Sequence, residues 1–445
     1  MLYLDILLVF EFCLFIAAIF ITNVDLLSPG VCTITVTLVA TMLLKFVEKS
    51  WDVKISFDEV LIILAGLFAI LFAEFVTKKF RVKRKMVIKA IHDNHYSIQI
   101  NTLLMRVLII LSVVFLVFYV FEIYRKGVGL GAGGLFSIGV VANSLSDGTE
   151  RLSFIGKVAY QYNSLIAYPF CWIFSQDVFK RKVSKRYLFD LIPVICCLAT
   201  QFFGANRHNM LRVILAVVFC SIVTLRQNKA VKKRDKKKII RRLVFFFAMF
   251  LIVFYFARDV VKVSTHSISF AEYIIYYLSS PIVLFGKYLI SPTSVRAVSN
   301  LFGETCFTGF YATLMRWGIV DNVITETNHT AIGGYSGIRT GNTYTFFMRP
   351  YHDFGIVGVI VLTFLIYFIV CFMYHKKICK GIRSAKSYRN RMMIIIYLSY
   401  FYYMFPLAVS DFYLSIESKI MTLFYLAIIY LICKYLIKID ENQTQ

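Results

Sequence analysis

The sequence predicts an all-α, polytopic integral membrane protein with about eleven transmembrane helices and one large external loop. Its composition is 59% hydrophobic with a mean hydropathy of +0.71, whereas soluble domains are about 45–50% apolar. The apolar residues form long uncharged runs, and the 49 Lys and Arg residues, against 25 Asp and Glu, fall mostly between them. These observations exclude a soluble enzyme, a disordered chain and a nucleic-acid-binding module.

The spans follow from the lengths of the apolar runs, because a membrane-spanning helix needs about 20 mostly apolar residues. The first run carries Asp5 and Glu11 and lacks a basic start and a small-residue cleavage site, so we interpret it as a retained span rather than a signal peptide. The sixth to eighth runs are short or interrupted, so the count of eleven carries a margin of one or two spans. The predicted spans are residues 2–21, 29–47, 58–76, 103–123, 152–175, 187–203, 208–225, 243–257, 353–374, 392–410 and 417–437.

Four segments between spans hold most of the positive charge. Residues 77–100, 176–186, 226–242 and 375–391 contain seven, five, ten and seven Lys or Arg residues. They are separated by even numbers of spans, so they share one side of the membrane, and the positive-inside rule assigns that side to the cytoplasm. The N-terminus is then external and the C-terminus cytoplasmic. RNA binding is an alternative use of such segments, but topology and anionic lipid headgroups are the favoured explanation.

The same alternation leaves two sizeable external segments. Residues 124–151 are rich in glycine, and this run follows a membrane span rather than a strand, so it is a poor match to a phosphate-binding loop. Residues 258–352 form a large extracytoplasmic loop between spans eight and nine of a single membrane domain, 1–445. Within this loop, residues 268–290 are expected to form an interfacial or re-entrant helix pair. Its four tyrosines suit an aromatic belt or stacking on sugar rings: Tyr273, Tyr276, Tyr277 and Tyr288.

The ten cysteines support neither a metal site nor a disulfide framework. They occur singly or as Cys196–Cys197, nearly all within spans, and only Cys306 is clearly external. There is no CxxC motif and no paired external set, so we expect neither zinc nor disulfides.

External arginines stand out because the sidedness rule works against them. Arg207 lies in the tight external turn 204–209, at the membrane boundary, with no acidic residue nearby in sequence. A cation at such a depth is costly unless it faces a cavity or an anion. It is either a snorkelling anchor for a helix end or part of an anion-binding site.

A second polar cluster spans residues 337–358 and leads into span nine. Arg339 and Arg349 are suited to bidentate contact with phosphate or carboxylate oxygens. His352 and Asp353 are candidate general bases, although Asp353 alone also fits a helix N-cap.

These residues resemble the O-antigen and capsular polysaccharide polymerase (Wzy-type) family, in its oligosaccharide repeat unit polymerase branch. The architecture agrees along nearly the whole chain, since the family has 10–14 spans and one large external loop late in the sequence. The matching motifs are short: Asp25-Leu26-Leu27-Ser28-Pro29, Gly204-Ala205-Asn206-Arg207, Phe302-Gly303-Glu304-Thr305, Gly341-Asn342-Thr343-Tyr344-Thr345, and Tyr351-His352-Asp353-Phe354-Gly355 with Gly358.

The resemblance implies a glycosyltransferase at the outer face of the bacterial cytoplasmic membrane. It would move a growing glycan from a polyprenyl (undecaprenyl) diphosphate onto the terminal sugar of a lipid-linked repeat unit, for O-antigen, capsule or exopolysaccharide. Arg207, Arg339 and Arg349 would bind the diphosphate, and His352 or Asp353 would act on the acceptor hydroxyl. We predict substrate-positioning roles for four further residues: Asn342, Tyr344, Tyr351 and Glu304.

The diphosphate is already a good leaving group, so we expect no metal and no cofactor. Expected partners are the lipid-linked oligosaccharide, membrane lipids, and a chain-length regulator and flippase of the same pathway, but no nucleic acid. Two rival functions remain open. A flippase or transporter of the same lipid would show internal pseudo-symmetry and mid-span charges, neither of which is clear here. An O-antigen ligase would share the general architecture.

Overall fold

The structure, a computed structural model, describes most of the chain with side chains. The described residues are 2–79, 96–131, 139–141, 144, 150–180, 187–204, 206–227, 232, 234–245, 248–249, 269–290, 301–321, 330–331, 340–341, 343–379, 385, 387–401 and 421–441.

The described chain is almost entirely helical. Its helices are α1 (Leu2–Thr22), α2 (Pro29–Val47), α3 (Phe57–Lys79), α4 (Thr102–Gly129), α5 (Phe154–Lys180), α6 (Tyr187–Asp190), α7 (Ile192–Phe203), α8 (Arg207–Gln227), α9 (Phe270–Ile290), α10 (Thr308–Arg316), α11 (Met348–Met373), α12 (Tyr388–Tyr400) and α13 (Met421–Tyr435). A π-helical turn, Tyr374–Ile378, extends α11. Four short strands accompany the helices: β1 (Tyr96–Ile100), β2 (Thr330–Ala331), β3 (Thr340–Gly341) and β4 (Ile437–Glu441).

The predicted fold class is confirmed: the chain is an all-α membrane protein. Seven of the described helices are long and apolar enough to cross a membrane, and six of them coincide with predicted spans, namely α1, α2, α3, α4, α8 and α11. The seventh, α9, lies within the predicted external loop. Most of the predicted span 243–257 and about half of the predicted span 392–410 lie outside the described residues, so the total of eleven spans stays a prediction.

The chain folds into two compact units that alternate along the sequence. Unit 1 comprises residues 1–86, 268–376 and 403–425. Unit 2 comprises residues 87–267, 377–402 and 426–445. Helices α1, α2, α3, α9 and the greater part of α11 therefore belong to unit 1, whereas α4, α5, α7, α8 and α12 belong to unit 2.

Contacts at the helix ends agree with the alternation of sides that the sequence predicts. In unit 1, the α1–α2 connection meets the far end of α11, where Tyr374 donates a 2.8 Å hydrogen bond to Asp25. In unit 2, β1 pairs antiparallel with β4, and both strands adjoin segments predicted to be cytoplasmic. On the predicted external side of unit 2, Lys126 forms a 2.6 Å ion pair with Glu150.

Helix α9 contacts α2 and α3 near the ends that the 48–56 connection joins. Its first turns help to line a cavity of about 330 Å³ beside that connection, through Glu272 and Ile275. Further along, Ser279 donates a 2.8 Å hydrogen bond to the carbonyl of Ala40, and Gly286 lies against the Glu59 carboxylate near the start of α3. The C-terminal turns of α9 lie beside the start of α11, where Tyr288 contacts His352.

Helix α11 contains a sharp break that separates a short first segment from the main apolar helix. Gly355 has φ 64° and ψ −160°, a region that only glycine populates readily. Residues 348–354 therefore form a helical segment of their own orientation, and the apolar run follows from Ile356. This short segment carries four of the nine predicted site residues: Arg349, Tyr351, His352 and Asp353.

Gly355→Ala is expected to lower the free energy of unfolding by about 1–3 kcal/mol, because a Cβ disfavours this backbone conformation. Thermal unfolding of the solubilised protein measures the change. Gly129→Ala at the end of α4 is the control, since no atom lies within 4 Å of the added Cβ and alanine favours a helix. Equal unfolding midpoints for the two variants would contradict the proposed strain at Gly355.

Candidate active site

The predicted site residues of unit 1 converge where segment 348–354 packs against residues 301–308. Gly303 allows the close approach: it has φ 65°, and an added Cβ would lie 2.9 Å from the ring of Phe354. The rings of Phe302 and Phe354 pack with centroids 5.0 Å apart. The Phe-Gly-Glu-Thr motif and the Tyr-His-Asp-Phe-Gly motif, about 50 residues apart in sequence, are thus in direct contact.

The buried Arg349 side chain holds this loop in place. Only 4% of its surface is exposed, and Nη1 donates hydrogen bonds to the Thr305 carbonyl at 2.8 Å and to Thr308 Oγ1 at 3.3 Å. The Thr305 hydroxyl donates in return to the Arg349 carbonyl at 3.3 Å. Arg349 therefore contributes to loop structure in addition to any part in anion binding.

Asp353 binds the same loop through its carboxylate. Oδ2 accepts a hydrogen bond from the Cys306 amide at 2.8 Å and Oδ1 accepts one from the Thr305 amide at 3.3 Å. Because α11 begins at Met348, Asp353 lies in its second turn and does not cap that helix. Both carboxylate oxygens are engaged by backbone donors, which favours a structural role for Asp353 over that of a general base.

His352 has the geometry expected of a general base. Its Nδ1 shares a 2.6 Å hydrogen bond with the hydroxyl of Tyr288, near the end of α9. Among the described residues, Nε2 has no hydrogen-bond partner, and the ring is partly exposed. When Nδ1–H donates to Tyr288, the lone pair of Nε2 is available to accept a proton.

The other predicted positioning residues surround this pair. Tyr344 is fully buried, and its ring centroid lies 6.3 Å from that of Tyr288. Tyr351 is partly exposed and meets Phe285 edge to face at 6.4 Å. Glu304 is 3% exposed within the loop that Arg349 and Asp353 hold. Arg339 and Asn342 lie outside the described residues.

The turn that contains Arg207 lies in unit 2 and is tied to α5 by Tyr160. The Tyr160 hydroxyl accepts hydrogen bonds from the side-chain amides of Asn206 at 2.9 Å and Asn209 at 3.0 Å, and it donates to Gln201 at 2.8 Å. The side chain of Arg207, the first residue of α8, lies outside the described residues. The asparagines on either side of it therefore belong to a polar network that fixes the turn.

Sequence reasoning missed the partner of His352. Tyr288 was predicted only as an aromatic-belt or sugar-stacking residue, and it is 64 residues away from His352 in the chain. No local pattern marks such a pair. A signal was nevertheless present. A buried tyrosine hydroxyl needs a polar partner, and the predicted loop that contains Tyr288 also contains His352.

Compared with protein-family models, curated proteins and solved structures, the chain matches none. The geometry of its own residues therefore carries the functional argument.

Cys306 reports on the loop that Asp353 holds. The thiol is fully buried, and burial, together with the nearby Asp353 charge, raises its pKa well above the usual value. A protonated, buried thiol reacts slowly with alkylating reagents. The intact protein is thus expected to resist labelling at Cys306.

Asp353→Ala is expected to speed maleimide labelling of Cys306 by about tenfold or more. The variant leaves the Thr305 and Cys306 amides without their charged acceptor, a loss of about 1.5–3 kcal/mol. Peptide mass spectrometry after timed labelling measures the rate. Asp321→Ala, which removes an exposed carboxylate from the same predicted loop, is the matched control. Unchanged labelling in Asp353→Ala would show that the carboxylate does not hold the loop.

Proposed function

We propose that the protein is a polysaccharide polymerase, a glycosyltransferase that joins polyprenyl-diphosphate-linked oligosaccharide repeat units at the outer face of the bacterial cytoplasmic membrane. The observation that supports this most directly is the His352 imidazole. It is oriented by Tyr288 on one nitrogen and has a second nitrogen with no partner among the described residues. It lies at the start of an apolar helix long enough to cross the membrane.

The location suits a substrate that is half lipid and half sugar. Segment 348–354 precedes the apolar part of α11, so a ligand beside it has its polyprenyl chain among membrane-spanning helices and its glycan outside them. Tyr351, the residue before His352, is partly exposed and provides aromatic surface there, whereas Tyr288, which packs beside the imidazole, and Tyr344, which packs against Tyr288, are buried. Aromatic side chains of this kind pack well against sugar rings and fix their orientation.

The proposed reaction needs one proton acceptor and a cationic site. Nε2 of His352 takes the proton of the acceptor hydroxyl while its oxygen attacks the anomeric carbon of the donor glycan. The bond from that carbon to the diphosphate breaks, and polyprenyl diphosphate leaves with the electron pair. Arg339 and Arg349 are the proposed partners of the diphosphate charge. A single displacement of this kind inverts the anomeric configuration.

Chain extension by the purified protein tests this proposal. The full-length protein in lipid nanodiscs is mixed with lipid-linked repeat units, without nucleotide sugars, and the products are separated by size. A ladder of lipid-linked oligomers, with release of polyprenyl diphosphate, is the expected result. Unextended repeats alongside an active reference polymerase would refute the assignment.

The rival functions are separated by the glycans that a deletion strain accumulates. Loss of a polymerase leaves single repeat units outside the membrane, loss of a flippase leaves them inside, and loss of a ligase leaves long lipid-linked chains. We expect external single repeats. Either of the other two patterns would replace the proposed function.

A further inference from the structure

A line of buried hydroxyl groups runs along one face of α2, in unit 1. Thr33, Thr37 and Thr41 follow one another at intervals of four residues, and each is at most 1% exposed. Each hydroxyl donates to the carbonyl four residues earlier, at 3.0–3.1 Å. Their donors are thus used within the helix, and their oxygen lone pairs face its neighbours. Thr33 also shares a 2.6 Å hydrogen bond with the Tyr367 hydroxyl on α11.

One end of this threonine stripe meets a buried carboxylate, Glu74 on α3. Glu74 is fully buried and accepts hydrogen bonds from Ser28 Oγ at 2.5 Å, from the Gly30 amide at 3.0 Å and from Cys371 Sγ at 3.2 Å. It also contacts His375 Nε2. Four elements of unit 1 therefore converge on one carboxylate.

The charged groups around Glu74 place it near the predicted cytoplasmic side. Asp25, in the α1–α2 connection, accepts a hydrogen bond from Tyr374, the residue before His375. Lys78, one turn beyond Glu74 on α3, donates to the Ile21 carbonyl at the end of α1. Lys79 and the basic segment 77–100 follow. The Glu74–His375 pair therefore lies at the end of unit 1 that carries the basic segment.

The other end of the stripe meets a second carboxyl, Glu11, in the middle of α1. Thr41 lies beside it, and Glu11 is 0% exposed. Apart from the Thr41 hydroxyl, no described group meets its carboxyl oxygens. An isolated carboxylate at such a depth is costly, so an ionisable group there indicates a functional site.

Nearby charges do not neutralise Glu11. On α2, the next ionisable residue after Thr41 is Lys45, whose ammonium binds Asp5 at 2.7 Å and Glu48 at 2.9 Å. On α3, the ionisable residues that are buried are Glu59 and Glu74, both acidic. These elements therefore offer Glu11 no unpaired positive side chain, and uptake of a proton is the remaining way to neutralise its charge.

We propose that Glu11 is a proton-binding site in the membrane interior, loaded from the predicted cytoplasmic side through His375, Glu74 and the threonine stripe of α2. The helix rises about 1.5 Å per residue, so successive stripe hydroxyls are about 6 Å apart, and the route requires one water molecule in each gap. Uptake of one proton converts the Glu11 carboxylate to the neutral acid. Its occupancy then responds to cytoplasmic pH, which makes unit 1 a proton-sensitive element independent of the proposed glycan chemistry.

Infrared difference spectroscopy of the full-length protein in lipid bilayers tests the site itself. The protonated carboxyl of Glu11 gives a C=O stretching band that shifts in D₂O. We expect this band in the parent protein and its loss in Glu11→Gln, which matches the side chain in size and cannot titrate. If Glu11→Gln retains every protonated-carboxyl band of the parent protein, the proposal is wrong.

The route is tested by the rate at which that band shifts after transfer to D₂O. Thr37→Val removes the middle hydroxyl of the stripe and is expected to slow the exchange by about tenfold, equivalent to about 1.4 kcal/mol in the barrier. Thr35→Val is the matched control, because Thr35 makes the same type of bond to its own helix (2.7 Å to the Val31 carbonyl) and is only partly buried. Equal exchange rates in the two folded variants would overturn the route.

Discussion

Replacing His352 with glutamine is expected to slow chain extension by a factor of about 10² to 10⁴, the contribution typical of a general base. Glutamine retains a hydrogen-bonding side chain of similar reach but cannot accept the acceptor-hydroxyl proton. The partly exposed position of the ring means that the fold tolerates the change. Initial rates of oligomer formation, with lipid-linked repeats at saturation, measure the effect as a change in kcat.

The hydrogen bond between Tyr288 and His352 gives this prediction a graded control. Tyr288→Phe removes the partner of His352 Nδ1 and is expected to lower kcat less than His352→Gln does, with KM nearly unchanged. Tyr277→Phe, on the same helix and 42% exposed, is expected to behave as the parent protein. Full activity of His352→Gln with an unchanged unfolding midpoint would remove His352 from the mechanism.

Glu74→Ala is expected to lower the free energy of unfolding by about 3–5 kcal/mol, the cost of removing one partner from a buried charged network. The substitution leaves the Ser28 hydroxyl, the Gly30 amide and the His375 ring without their acceptor. It also removes the carboxylate that links α2, α3 and α11. Unfolding of the purified protein by denaturant in mixed micelles measures the loss.

The control for Glu74 is Glu150, an acidic residue in a partly exposed ion pair. Glu150 binds Lys126 at 2.6 Å, and its side chain is 33% exposed. Solvent weakens such pairs, so Glu150→Gln is expected to leave the unfolding midpoint close to that of the parent protein. Similar losses in the two variants would show that the Glu74 network does not stabilise unit 1.

The sequence predicted the positions of the individual helices well, because the length of each apolar run fixes them. A run of about 20 apolar residues is stable in a membrane only as a helix, whose backbone hydrogen bonds are internal to the segment. For this reason α1, α2, α3, α4 and α8 coincide with predicted spans. The description of residues 268–290 as a helix pair was wrong in one respect, since α9 is a single helix with Pro281 inside it.

The candidate site was predictable where its residues are neighbours in sequence. Arg349, His352 and Asp353 were identified together because they fall within one turn and a half of helix. The sequence did not separate their roles. The structure does so through distant contacts, since Asp353 and Arg349 bind residues 305–308, whereas His352 binds Tyr288.

By itself, the sequence determined that the chain is a helical membrane protein and where most of its described helices begin and end. These properties depend on hydropathy and charge summed over adjacent residues. Only the tertiary structure decided that Tyr288 orients His352, that Asp353 holds a loop, and that Glu74 gathers donors from three other elements. Each of these contacts joins residues that are 44 or more positions apart in the chain. Side chains so far apart meet only through helix packing, which no local pattern encodes.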